Sequence, residues 1–142
     1  MTYHPNSKNI LNTKSELEQI IIALEYIINK FKKNICIIFT SPNADKNYEI
    51  IIKKIKIFEK KYDNVYYIPN FGFKFYSSVL KKVDCIIGNS SSGIIEAHSL
   101  KTYTVNIGER QKGRYQNSST FNCNFNHKTI YKIIINIFKK KY

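Results

Sequence analysis

The chain has 142 residues, of which 43% are hydrophobic and 23% charged, enough for one real core, too short for two independent domains, and unlike a disordered tail, a collagen-like repeat or a membrane bundle. Lys and Arg outnumber Asp and Glu by 23 to 10, a formal charge of +13. The excess is mostly lysine spread along the whole length amid Ile, Asn and Tyr, so it reads as a general attraction for anions, phosphorylated metabolites included, and not as a nucleic-acid surface.

In chain order, Met1-Thr-Tyr3 followed by His4-Pro5 has the form of the last residues of a strand. Leu17, Ile20, Ile21, Leu24, Ile27, Ile28 and Phe31 then fall on one helical face, with Ser15 and Glu18 as a capping-box start. Residues 34–40 form a continuous apolar run without polar alternation, the pattern of a strand covered on both faces. Residues 41–45 (SPNAD) make its turn. The cycle repeats with a helix over 47–61, Ile51, Ile55, Phe58 and Tyr62 inward, and a strand over 65–68 stopped by Pro69. A shorter helix over 75–83, a strand over 85–87, a helix over 93–100, a strand over 103–107 and a closing helix over 129–139 complete it. Only 108–126 looks irregular. This alternation predicts an α/β fold: a Rossmann-like parallel sheet with right-handed crossovers and helices on both faces, one domain over 1–142.

Cys36, Cys85 and Cys123 are odd in number and lack C-x-x-C spacing, which is reduced, cytosolic usage without a zinc site. Nothing in the sequence calls for a metal or a cofactor. The first nine residues lack the apolar core of a secretory signal, and the stretch 20–28 is broken by Glu25 well short of a membrane span. A cytoplasmic protein with no membrane partner is expected.

In an open parallel sheet ligands bind outside the carboxyl ends of the strands, and polar residues cluster there. After the strand at 85–87 comes Gly88-Asn-Ser-Ser-Ser-Gly93, where small residues admit close approach, hydroxyl and amide groups donate, and a helix start favours a phosphate. Asn89, Ser90, Ser91, Ser92 and Gly93 are candidates on this ground, as is Glu96, one turn further, as acceptor from a ribose diol. Such a run also serves as a plain Ser/Asn-rich helix cap. Arg110 and Arg114 follow the strand at 103–107, Asn43 follows the strand at 34–40, and His4 follows Thr2-Tyr3. Their shared position at strand ends points to a phosphate or nucleotide site.

Thr2-Tyr-His-Pro5, Phe39-Thr-Ser-Pro-Asn-Ala-Asp45, Ile87-Gly-Asn-Ser-Ser-Ser-Gly-Ile-Ile-Glu-Ala97 and Thr104-Val-Asn-Ile-Gly-Glu-Arg-Gln-Lys-Gly-Arg114, in this order and spacing, resemble the hydrolysing UDP-N-acetylglucosamine 2-epimerases. The resemblance implies an enzyme of the glycosyltransferase-B (GT-B) type, two Rossmann-like halves with the sugar nucleotide between them, of which this chain matches the C-terminal half. By the same resemblance, Ser90 and Ser91 would hold the diphosphate, Glu96 the ribose, and Arg110 would help neutralise the phosphates. His4 would lie near the phosphates and the reacting sugar as the catalytic residue, Asn43 at the cleft, and residues 70–73, with Phe73, beside the uracil. The whole enzyme would release UDP from a UDP-amino sugar and yield the free 2-epimer, of the N-acetylmannosamine type, for sialic-acid-like nonulosonates. The acidic groups that move the proton at the second carbon would belong to an N-terminal half, which this chain would need as a partner. Tyr103 stands where the family usually has proline, read as a tolerated change at a strand entrance. Other readings stand beside this one: a non-catalytic UDP-binding remnant, the donor domain of a GT-B glycosyltransferase, and a basic nucleic-acid binder. Homo-oligomerisation and the identity of the amino sugar are left open.

Overall fold

A computed structural model describes residues 1–5 and 10–141. Helices α1 (Ile10–Phe31), α2 (Tyr48–Lys61), α3 (Gly72–Lys82), α4 (Glu96–Ser99) and α5 (His127–Lys141) alternate with strands β1 (Ile37–Phe39), β2 (Val65–Tyr67), β3 (Cys85–Gly88), β4 (Tyr103–Ile107) and β5 (Thr120–Cys123). β1 pairs with β2, β3 with β4 and β4 with β5, all parallel. Residues 1–3 join the two ladders. Thr2 bridges Gly88 in parallel, donating its N–H to the Ile87 carbonyl at 3.0 Å, while on the other flank the Thr40 N–H donates to the Met1 carbonyl at 3.0 Å. The order across the molecule is therefore β2, β1, residues 1–3, β3, β4, β5. Successive crossovers run one way as far as β2 and the other way from β3, so the sheet reverses beside residues 1–3, the place where doubly wound folds bind ligands.

The helical face expected from Leu17 onward is the largest block of the core: Leu17, Ile20, Ile21, Leu24, Ile27 and Ile28 are all buried. They pack with Ile51, Ile55 and Phe58 of α2 and Ile130, Ile134 and Ile137 of α5 against Phe39, Val65, Val105 and Ile107 of the strands. Each such side chain contributes roughly 1.5–3 kcal/mol relative to its exposed state. A smaller cluster, Leu80, Ile86 and Ala97, lies under α3 and α4. Helices thus cover both faces, and the fold is the α/β Rossmann-like arrangement that the alternation predicts.

Three expectations are corrected. Ser15 and Glu18 do not start α1, which begins at Ile10. Their neighbourhood is tied to other elements instead, Glu18 pairing with Lys54 at 2.7 Å and Glu16 accepting from the Tyr3 hydroxyl at 2.5 Å. The helix expected over 93–100 is a 3-10 turn, Ser91–Gly93, followed by the four-residue α4. Gly93 lies flat against β4, where an added Cβ would come within 2.8 Å of Thr104 Cγ2. The Ala97 carbonyl takes the N–H groups of both Leu100 and Thr102, which ends α4 at once. The segment 108–126 contains β5, a half-buried edge strand whose Asn122 is exposed; four residues with a polar centre give too short an apolar alternation to read as a strand. Smaller differences are at the ends: α3 starts at Gly72, where Asn70 Oδ1 accepts from the Gly72 N–H at 2.7 Å.

Candidate functional site

The carboxyl edge at the sheet reversal is built around Asn89, the residue after β3. It is 5% exposed, and its side chain grips the backbone of His4 in both directions: Oδ1 accepts from the His4 N–H at 2.7 Å and Nδ2 donates to the His4 carbonyl at 3.0 Å. Its backbone N–H donates to the Thr2 carbonyl at 3.2 Å. Its carbonyl accepts from Gln111 Nε2 at 2.8 Å and from Arg110 Nη1 at 3.3 Å. One residue therefore fastens residues 2–4, the turn after β3 and the segment after β4 together. Gly88 makes this possible: at φ +135° it lies so close to residue 2 that an added Cβ would fall 1.8 Å from the Thr2 carbonyl oxygen.

His4 is buried, and its Nδ1 accepts the Asn43 backbone N–H at 2.9 Å. That bond fixes the neutral tautomer with hydrogen on Nε2, a donor. Burial, and then the positive charge of Arg110, lower its pKa to about 4, so the ring is neutral near pH 7. Asn43 takes part through its backbone; its side chain is exposed.

Ser90, Ser91, Ser92 and Gly93 follow Asn89 along the same edge. Ser90 caps the 3-10 turn, its Oγ accepting from the Ser92 N–H at 3.4 Å, and a hydroxyl chain runs from Ser90 to Ser92 at 3.2 Å and on to Tyr76 at 2.6 Å. Such a turn leaves its leading N–H groups without acceptors of its own, which is donor capacity for an anion. With only a three-residue turn and a four-residue helix, the aligned dipole expected from a longer helix is replaced by hydroxyl and local amide donors. Glu96 is exposed at the start of α4, near enough to Tyr76 that its charge, after burial, helps to raise that phenol's pKa.

The structure thus brings together His4, the Asn43 backbone, residues 89–93 and Arg110; Glu96 stands apart from their hydrogen bonds, exposed at the start of α4. Arg114 lies on the following turn, its backbone N–H on the Gln111 carbonyl at 3.3 Å and its side chain exposed. Phe73 stands at the start of α3, 97% exposed. Two participants were not singled out from the sequence. Gln111 is 1% exposed beside Asn89, and its Oε1 has no hydrogen-bond partner among the described residues. Its only sign was a place beside Arg110 in a polar run. Tyr76, which holds Ser92, gives no local signal on α3.

A parallel sheet that reverses direction, covered by helices on both faces, with a donor-rich loop and an arginine at its switch point, defines a protein of the Rossmann-like α/β class. The family model described as UDP-N-acetylglucosamine 2-epimerase matches residues 1–142, and the chain belongs to that family. It is 35% identical over 127 residues to the GDP/UDP-N,N'-diacetylbacillosamine 2-epimerase (hydrolyzing) of Campylobacter jejuni, covering 89% of this chain and 32% of that protein. It is 35% identical over 119 residues to polysialic acid biosynthesis protein P7 of Escherichia coli, covering 84% of this chain and 29% of that protein. The UDP-N,N'-diacetylbacillosamine 2-epimerase (hydrolyzing) of Legionella pneumophila is 28% identical over 130 residues, 92% of this chain and 33% of its own length. The chain therefore spans about a third of the length of these relatives. No helix among the described residues is long and apolar enough to cross a membrane.

Proposed function

We propose that this chain is the UDP-binding, C-terminal half of a hydrolysing UDP-amino-sugar 2-epimerase. The observation that carries the reading is the convergence on Asn89, which sets a neutral His4, a serine-rich turn and Arg110 along one edge of the sheet. Ser90 and Ser91 donate to the diphosphate, Arg110 offsets its charge, and Glu96 accepts from the ribose hydroxyls. His4, with hydrogen on Nε2, donates toward the phosphates or the glycosidic oxygen that UDP carries away. Donors aimed where the leaving group gathers negative charge lower the barrier to its departure.

In the complete enzyme the proton at the second carbon of the sugar is removed as UDP leaves. The resulting glycal-like intermediate then adds water to give the free 2-epimer, which serves sialic-acid-like nonulosonate synthesis. That proton transfer needs a positioned base and acid. With Glu96 assigned to the ribose and His4 to the leaving group, those groups come from a second, N-terminal half, and the chain works in the cytoplasm on a diffusible UDP-sugar. Calorimetric titration with UDP tests the reading. Arg110→Ala removes a charged donor, roughly 1.5–3 kcal/mol or about 10–100-fold in affinity, whereas Lys139→Ala on α5 leaves affinity unchanged. Equal losses from both, or tight DNA binding with a steep salt dependence, would overturn it.

A further inference from the structure

Behind the serine turn that follows β3 stands one tyrosine. Tyr76, on α3, is half-buried, with its ring against the cluster of Leu80, Ile86 and Ala97. α3 is itself tied down at Leu80, whose carbonyl accepts from Thr102 Oγ1 at 2.8 Å. The phenol is therefore held from the protein side, and it meets the turn at Ser92 Oγ, 2.6 Å away. From there the next oxygen is Ser90 Oγ, at 3.2 Å.

Three hydroxyls in a row carry three protons, and the direction in which they point decides what the turn offers outward. A phenol is more acidic than an alcohol, so it is the better donor and the poorer acceptor. Burial raises the Tyr76 pKa, with the Ser92 bond opposing and the charge of Glu96 adding, so the phenol keeps its proton near neutral pH. Tyr76 then donates to Ser92 Oγ, and the Ser92 hydroxyl in turn donates to Ser90 Oγ. That oxygen already takes the Ser92 backbone N–H at 3.4 Å. A hydroxyl oxygen has two acceptor positions, and both are now filled. What Ser90 has left is donation through its own proton, and each bond of the chain polarises the next in that direction. Run the other way, the chain spends the Ser90 proton on Ser92 and makes the phenol an acceptor from an alcohol, the weaker arrangement for a 2.6 Å contact.

We propose that Tyr76 is the positioning residue of the serine turn: by donating to Ser92 it holds the Ser90 hydroxyl outward as a fixed donor, and so selects a ligand group that only accepts, the oxygens of a diphosphate. The proposal rests on the diphosphate site proposed above and adds to it a residue that acts through Ser92 and Ser90. In Tyr76→Phe the ring stays on Leu80, Ile86 and Ala97, but the chain is free to reverse. Turning Ser90 outward then costs its bond to Ser92, and one neutral hydrogen bond corresponds to about fivefold in affinity.

The direction of the chain is read first in the protein without ligand. With tyrosine labelled at Cζ, in a mixture of light and heavy water, a slowly exchanging Tyr76 hydroxyl gives two resolved Cζ lines, and Ser92→Ala merges them. A single merged line in the parent makes the phenol an acceptor, and two lines that persist in Ser92→Ala give its proton another partner; either overturns the proposal. Affinity is read next, by calorimetry with UDP. Tyr76→Phe and Ser92→Ala are each expected to weaken binding about fivefold, and the double variant by far less than the roughly 25-fold product, because both cut one chain. Tyr62→Phe, which removes a phenol hydroxyl bonded to Glu25 at 3.2 Å, leaves affinity unchanged. Unchanged affinity in Tyr76→Phe, or losses that multiply in full, would overturn the proposal. Should the parent not bind UDP, the nucleotide reading fails by itself, and inorganic pyrophosphate followed at the amides of residues 89–93 takes its place. A weaker pyrophosphate response in Tyr76→Phe then supports the role of Tyr76, while no response in the parent, or an equal one in both, overturns it.

Discussion

Asn89→Ala removes the one side chain that holds His4 by both its backbone groups. Asn89 is 5% exposed and His4 likewise 5%, so the His4 N–H and carbonyl lose bonds of 2.7 and 3.0 Å in a place where water enters only through the gap left by the substitution. Stranding a buried polar group costs roughly 1–3 kcal/mol; for two groups with partial access to water, about 2–4 kcal/mol is expected. At about 4 °C per kcal/mol for a domain of this size, Tm falls by roughly 8–16 °C. Urea unfolding monitored by circular dichroism measures it, with the midpoint moving and the slope unchanged. Asn106→Ala is the internal control. Asn106 is equally buried, but its Nδ2 bonds an exposed partner, Asn122 Oδ1, at 2.7 Å, so its loss costs about 1 kcal/mol. Because the Asn89 carbonyl persists in the alanine variant, Arg110 keeps its anchor while His4 shifts, and UDP affinity falls without being abolished. A cost no greater than that of Asn106→Ala, or unchanged UDP affinity, would refute the role given to Asn89.

Further outcomes follow from the same geometry. Gly88→Ala, with a Cβ 1.8 Å from the Thr2 carbonyl oxygen, is expected to cost more than about 4 kcal/mol, while Gly72→Ala, at φ +69° with nothing within 4 Å, costs about 1–2 kcal/mol; urea midpoints that rank the two the other way contradict the packing at the sheet reversal. The His4 pKa is lowered in the folded state from 6.5 to about 4, so the unfolded chain binds the proton more readily and stability falls as pH drops from 6.5 through 4. His4→Asn, which keeps an acceptor and cannot titrate, flattens that part of a Tm-against-pH curve; an unchanged curve assigns the loss to other groups. The isolated chain releases no UDP from UDP-N-acetylglucosamine above background in a coupled assay, and a family N-terminal half, fused or added, restores turnover; robust release that vanishes in His4→Ala would show this half to be catalytically complete.

The large elements were legible because their signals are local and repeated. The apolar face from Leu17 to Phe31 and the unbroken run before Thr40 each follow from one period of the chain, and all seven expected apolar positions of α1 turn inward or pack against the core. The strand-end loop at 88–93 was legible as a turn for a different reason: a run of small and hydroxylic residues follows a short apolar strand and caps the next turn. What escaped depends on tertiary contacts. β5 is an edge strand held by its pairing with β4, and α4 is cut short by Gly93 and Thr102 meeting β4 and the Ala97 carbonyl. Asn89 and Gln111 have the residue types of ligand contacts, yet both amide atoms of Asn89 and the Nε2 of Gln111 are spent on backbone that only the fold brings near.

Backbone amide chemical-shift mapping during a UDP titration tests the nucleotide site most directly. Saturable shifts are expected to be largest at residues 89–93 and at Arg110 and Gln111, with smaller ones at His4 and Asn43, and to weaken in Arg110→Ala. Shifts scattered over the lysine-rich ends of α2 and α5, or unaffected by Arg110→Ala, would contradict a UDP site at the sheet reversal.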